Sequence, residues 1–150
     1  MMITKNKKAY FDYEISTDYT AGIVLAGHEV KAIKTGHINI SDTIISLQKG
    51  EARLLGMDIP LYTKTSPLLV PGYQPKRKRK LLLTKREISK IASRLDKPGM
   101  VALALEVFIA RGGFIKVKIW IGRLRKKVEK KQVLKERSIE KEMRKETLKY

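Results

Sequence analysis

Between Phe114 and Gly122, the aliphatic residues Ile115, Val117, Ile119 and Ile121 alternate with Lys116, Lys118 and Trp120. A period of two places the four aliphatic side chains on one face of a strand and the rest on the other, so this chain must build a sheet with one buried face. The opposite face is expected to be exposed, basic and marked by one aromatic ring. Val101 to Ala110 is a second β-rich run, and Arg111-Gly112-Gly113 between the two predicts a hairpin.

The remaining elements must fit around that hairpin. Phe11 to Ile15 reads as a short strand. Ala21 to Thr35 reads as a helix, with Ile23, Ala26, Val30 and Ile33 on one face, Lys31 and Lys34 off that stripe, and Gly36 where a C′ residue belongs. Thr43 to Gln48 and Ala52 to Ile59 form another predicted hairpin through Lys49-Gly50-Glu51. Pro60, Pro67, Pro71, Gly72 and Pro75 argue against regular structure from Pro60 to Lys80, and long loops in compact domains tend to be functional. After it, Thr84 and Glu87 have the spacing of a capping box, Ile88, Ile91, Ala92 and Leu95 recur at helical spacing, and Pro98-Gly99 ends the helix. About six short strands and two helices without a βαβ rhythm argue for a mainly β fold with attached helices. The natural candidate at this size is a small antiparallel barrel of oligonucleotide-binding (OB) type.

Residues 123–150 do not share in that core. They carry 12 Lys/Arg against 5 Glu with no Gly or Pro. The expected organisation is therefore a barrel domain at 1–122 and a basic C-terminal tail at 123–150. A formal charge of +18 on 150 residues favours a polyanionic partner. No apolar run approaches the roughly 20 residues of a membrane span, the N-terminus lacks the apolar region of a secretory signal, and there is no cysteine. The expectation is a cytoplasmic protein with no membrane partner.

Catalytic chemistry finds no support in the residue pattern. His28 and His37 lack the Cys or His companions of a zinc site and are expected to be exposed, on or near the first helix. Asp12, Asp42, Asp58 and Asp96 are scattered, Glu29 stands alone on its helix, and no phosphate-binding loop or nucleophile elbow is present. No enzyme activity, metal, cofactor or small-molecule substrate is expected. Basic residues recur instead on nearly every element: Asn6-Lys7-Lys8, Lys31, Lys34, the run Lys76-Arg77-Lys78-Arg79-Lys80, Arg86 and the tail. That distribution favours nucleic acid over a merely solvated loop.

The residues carry a resemblance. Asn6-Lys7-Lys8-Ala9 with Asp12-Tyr13, Ala21-Gly22-Ile23-Val24-Leu25, Gly27, Glu29-Val30-Lys31, Gly36, Asn39 and Asp42 resemble the N-terminal half of the SsrA-binding (small protein B) family of bacterial trans-translation. The likeness continues through Arg79-Lys80-Leu81-Leu82-Leu83 and Lys85-Arg86-Glu87-Ile88 to Glu129-Lys130-Lys131 and Lys135-Glu136-Arg137. It implies an OB-type barrel that binds the tRNA-like domain of transfer-messenger RNA (tmRNA) and delivers it to the A site of a stalled 70S ribosome. The tail, disordered when free and helical when bound, would sense the empty mRNA channel near the decoding centre. Structured RNA read by shape, phosphates and splayed bases suits a rigid barrel with basic loops.

Carried over by position, the RNA face would comprise Asn6, Lys7, Lys8, Lys31, Lys34, Arg77, Arg79, Lys80, Leu82 and Arg86, with core packing as the other reading of Leu82. Arg125, Lys126, Lys127, Val128, Lys130, Lys131, Lys135 and Arg137 would be the ribosome-contacting tail. The chain departs from the family pattern at Thr20, Thr84, Leu124, Glu129 and Ser138, and its second hairpin is one residue longer. Val128 stands where the family usually has a ring, and Val cannot stack on a base. A ribosomal or ribosome-assembly protein binding rRNA is the alternative reading.

Overall fold

The alternation from Ile115 to Ile121 resolves as the spine of a barrel. The computed structural model describes residues 2–125. Its strands are β1 (Met2–Lys5), β2 (Tyr13–Ile23), β3 (Ile44–Gln48), β4 (Glu51–Leu55), β5 (Arg79–Leu82), β6 (Met100–Ile109) and β7 (Ile115–Leu124), with helices α1 (Lys7–Asp12), α2 (Gly27–Lys34) and α3 (Lys85–Leu95). The strands form one sheet in the order β1-β6-β7-β2-β5-β4-β3, and every pairing is antiparallel. The mainly β, OB-type architecture is as expected, with one more strand and one more helix among the described residues.

The sheet curls because it must bury one face. Ile115, Val117, Ile119 and Ile121 meet Ala102, Ala104 and Val107 of β6, Leu54 and Leu81 on the far strands, and Ile33 and Ile91 from α2 and α3. A register shift in β6 between Ala104 and Glu106 changes which parity faces inward, so Ala102 and Ala104 are followed in the core by Val107. Leu103 and Leu105 turn outward into a second, smaller cluster.

Side chains tie the two ends of the curled sheet together. Just after β1, Asn6 Nδ2 donates to Ile40 O at 3.0 Å and to Ala104 O at 2.9 Å. Ala104 N–H donates to Thr43 Oγ1 at 3.1 Å. The approach to β3 is thereby fastened to β6.

Five local expectations need correction. β4 ends at Leu55, where Gly56 turns the chain at φ +81°, rather than at Ile59, and β5 begins at Arg79, inside the stretch expected to be a loop. The chain from Lys7 to Asp12 is helical, because Asn6 Oδ1 caps it by accepting from Ala9 N–H at 3.0 Å, and the strand starts only at Tyr13. The helix expected from Ala21 begins at Gly27, since Ala21 and Ile23 reach the core by strand periodicity, which their spacing also allows. Trp120 is 8% exposed, covered by α1 through Ala9 and Tyr10. The outer face of β7 therefore shows solvent its lysines but not its tryptophan.

Other local signals hold. Lys49 (φ +52°) and Gly50 (φ +75°) make the tight turn between β3 and β4, and Gly36 (φ +84°) follows α2. Thr84 and Glu87 form the capping box of α3. β7 continues past Gly122, with Tyr13 opposite Leu124 and Glu14 opposite Arg123.

Candidate nucleic-acid interface

The basic run entering β5 has two faces. From residue 76 to 80, Lys76, Lys78 and Lys80 are exposed, Arg77 is half-buried and Arg79 is fully buried. The inward parity continues at Leu81 and Leu83. Arginine is the cation suited to the buried positions, since its planar fork makes several fixed hydrogen bonds.

What receives those arginines is Glu29, 0% exposed on α2. Arg79 Nε donates to Glu29 Oε2 at 2.7 Å. Its Nη1 donates to Met57 O and Arg77 O, and its Nη2 to Tyr73 Oη and Pro75 O, so all five guanidinium N–H groups are satisfied. Arg77 Nε donates to Glu29 Oε2 at 3.2 Å, and Arg77 Nη2 also pairs with Glu29 Oε1. Glu29 Oε1 accepts the Ala26 N–H at 2.8 Å, closing the start of α2. Burial alone would raise the Glu29 pKa, but the bonds from Arg77, Ala26 and Arg79 and the Arg79 charge outweigh it and hold it at about 2. Burial, followed by the Glu29 charge, pushes the Tyr73 phenol up.

This network fixes the loop between β4 and β5. Tyr73 Oη donates to Ile59 O at 2.7 Å, and Ile59 N–H donates to Pro75 O at 3.0 Å. His28 packs edge-to-face on Tyr73, with ring centroids 4.6 Å apart, and its Nδ1 is buried without a hydrogen-bond partner. It is therefore not the exposed histidine expected; His37 is exposed, with Nδ1 2.8 Å from Thr35 Oγ1.

The residues expected on an RNA face separate accordingly. Asn6 and Arg79 are buried, and their polar atoms are engaged inside the protein, closing the barrel and seating the loop. Lys7 and Lys8 are exposed on α1, with Lys8 Nζ 3.4 Å from Asp42. Lys31 and Lys34 are exposed in the last turn of α2, and Lys34 Nζ reaches Gly113 in the β6–β7 hairpin. Lys80 and Arg86 are exposed around the start of α3, Lys80 being 3.6 Å from Glu51. Leu82 is 57% exposed, which removes the core reading of that residue.

Arg125 Nε donates to Tyr13 O at 3.2 Å, and its N–H donates to Asp12 O at 2.7 Å. Lys126, Lys127, Val128, Lys130, Lys131, Lys135 and Arg137 lie outside the described residues. Two residues that shape this surface were not given that role from sequence, and Glu29, expected to stand alone on its helix, is paired with Arg77 and Arg79. Glu29 left a signal in the alternation of Arg and Lys from 76 to 80, which continues the inward parity of Leu81. Phe114, 70% exposed at the hairpin, left none.

Among the described residues no group of three or more His, Cys, Asp or Glu could hold a metal ion. No described helix is long and apolar enough to cross a membrane. What the surface offers is exposed cations on several elements of a rigid barrel, with an apolar groove between two of them.

Comparison with known proteins gives these features a common frame. The family model described as SmpB protein matches residues 3–149. The SsrA-binding protein of Coprothermobacter proteolyticus is 43% identical over 145 residues, 97% of this chain and 95% of that protein. That of Persephonella marina is 38% identical over 144 residues, covering 96% and 92%. A chain in a solved structure described as "tmRNA-SmpB: a journey to the center of the bacterial ribosome" superposes with a TM-score of 0.69 at 32% identity, covering 83% of this chain and 85% of that one. The sequence match runs over nearly the whole length and the fold match over 83% of the chain, and on that ground the chain belongs to the SmpB family.

Proposed function

We propose that this protein binds tmRNA and brings its tRNA-like domain into the A site of stalled ribosomes, allowing rescue and tagging of the nascent peptide. The observation that carries this is the near full-length match to SsrA-binding proteins, joined to the likeness of the barrel to a chain of the tmRNA-SmpB ribosome structure. The surface suits the task. A closed barrel with cations on α1, α2, β5 and α3 can follow the shape and phosphates of a folded RNA without entering a helical groove. In this reading Lys7, Lys8, Lys31, Lys34, Lys80, Arg86 and Leu82 touch RNA, while Asn6, Arg79 and, in part, Arg77 hold the elements that present them. Residues 126–150 test for an empty mRNA channel, and the protein works in the cytoplasm.

Two measurements test the proposal. The purified protein is expected to bind a tmRNA transcript much more tightly than a generic structured RNA at equal salt, and equal affinity for both refutes it. Removal of residues 126–150, leaving the sheet intact through Arg125, is expected to preserve RNA binding and abolish tagging on stalled ribosomes. Tagging that survives the truncation removes the tail from the mechanism.

A further inference from the structure

Between β4 and β5 the chain leaves the sheet and returns to the place it left. Ile59 N–H donates to Pro75 O at 3.0 Å and Tyr73 Oη donates to Ile59 O at 2.7 Å, so residues 60–74 form a loop closed at its base. The loop is stiff along its length. Thr65 N–H donates to Tyr62 O, Tyr73 N–H donates to Val70 O, and Pro67 and Pro71 fix the backbone on either side of the tip. The tip itself is a single 3₁₀ turn, Pro67–Leu69, capped by Ser66 Oγ, which accepts from Leu68 N–H at 3.3 Å.

That turn carries the two most exposed large apolar side chains among the described residues. Leu68 is 89% exposed and Leu69 79%. One bare leucine on a surface is ordinary, but an adjacent pair held out on a stiff turn marks an interaction site. Neither side chain closes the loop, whose turns are made by the backbone, the prolines, Ser66 and Tyr73. The flanks are cationic. Between Asp58 and Glu87 the chain holds eight Lys or Arg and no carboxylate. Arg77 and Arg79 face Glu29, whereas Lys64, Lys76 and Lys78 are exposed.

We infer that Leu68 and Leu69 are a docking point for a protein of the stalled ribosome, both side chains entering an apolar cleft whose carboxylate rim meets Lys64. The inference rests on the function proposed above and adds to it a protein contact. A ribosome presents rRNA and protein, and the chemistry of the tip decides between them. Bases are gripped by rings and guanidinium groups, and phosphates by cations; leucine offers neither, whereas the buried centre of a protein interface is apolar. The absence of carboxylates around the tip selects an acidic rim by charge complementarity. The stiffness of the turn adds affinity, because little ordering entropy is lost on docking.

The test compares full-length wild type with Leu68→Ser/Leu69→Ser and Leu68→Met/Leu69→Met, using a tmRNA transcript alone and then purified stalled ribosomes with tmRNA as probes. The serine variant is expected to bind tmRNA as wild type does and to join stalled ribosomes at least about 10-fold more weakly. The methionine variant, which keeps the apolar volume, is expected to recover most of that loss. Lys64→Glu is expected to weaken ribosome binding as well, and a gain overturns the acidic rim. The exposure of both leucines keeps these variants folded, which a melting curve checks. A photoreactive p-benzoylphenylalanine introduced at position 69 is expected to crosslink to a ribosomal protein. Unchanged ribosome binding in the serine variant overturns the docking point. A crosslink to RNA alone overturns it too, as does a matching loss of tmRNA affinity, because each gives the tip to RNA. A wild type that cannot join tmRNA to stalled ribosomes refutes the function proposed above, whereas a wild type that joins them no better than its serine variant refutes this inference alone.

Discussion

Replacing Glu29 with Gln tests the principal electrostatic claim made for this fold. Glu29 is the counterion of a fully buried Arg79 and of a half-buried Arg77, and its side chain is itself 0% exposed. Glutamine keeps the shape and some hydrogen bonding but leaves Arg79 as an uncompensated buried charge, for which about 3 to 5 kcal/mol is the ordinary cost. An independent route gives a similar size. A pKa lowered from 4.5 to about 2 corresponds to about 3 kcal/mol of linkage between ionisation and folding. In a domain of this size that is roughly a 10 °C drop in Tm.

The sign in pH follows from the direction of the shift. A depressed carboxylate contributes stability that is present above its unfolded value of 4.5 and is lost as pH falls through the folded value of about 2. Urea unfolding of wild type and variant is therefore expected to show a gap of about 3 kcal/mol near neutral pH that narrows below about pH 4.5. The difference between the two proteins isolates Glu29 from the other carboxylates. Combining Glu29→Gln with Arg79→Met is expected to cost less than the sum of the single changes, because the pair fails together. A variant melting within about 2 °C of wild type refutes the argument, as does a gap that stays constant down to about pH 2.

Other outcomes follow from single contacts. Asn6→Ala is expected to cost about 1 to 3 kcal/mol in urea titration, since it uncaps α1 and leaves Ile40 O and Ala104 O short of a donor. Gly56→Ala is expected to be worse tolerated, by more than about 2 kcal/mol, because φ is +81° and the new Cβ would stand 2.2 Å from Asp42 O, a backbone atom with little freedom to yield. Thr84→Ala removes the oxygen that accepts Glu87 N–H and is expected to cost about 1 kcal/mol, read from thermal unfolding. Lys31→Ala and Lys34→Ala are each expected to flatten the logarithmic salt dependence of tmRNA binding by about 0.7 to 0.9 units, with no change in Tm.

The elements that could be read directly from sequence are those whose determinants are close in the chain. Thr84 and Glu87 define α3 within one turn, and Lys49-Gly50 defines the first hairpin within two residues. Boundaries failed where two periods fit the same residues: Ala21 and Ile23 satisfy a strand and also extend a helical stripe, and the pairing of Ala21 with β7 and of Ile23 with β5 decides between them. The burial of Trp120 depends on α1, whose cap on Asn6 is engaged with carbonyls 34 and 98 residues away, a relation local patterning does not carry. Glu29 looked isolated for the same reason, its partners being 48 and 50 residues distant. The cationic surface was legible as composition. Which cations face water was not, because that depends on strand parity through Arg77, Arg79 and Leu81.

The joint at the end of β7 has a consequence for how the two parts of the molecule work together. Arg123 pairs with Glu14 through Nε and Nη2, and the next odd residue, Arg125, is bonded to Asp12 and Tyr13 through backbone and side chain. The chain therefore leaves the barrel from an anchored residue three positions beyond the last glycine. Whatever holds the barrel therefore also holds Arg125, the point from which residues 126–150 continue. In the proposed function this anchored exit is the link between the barrel and residues 126–150, and a Gly-Gly insertion after Arg125 is expected to weaken tagging on stalled ribosomes while leaving RNA binding unchanged.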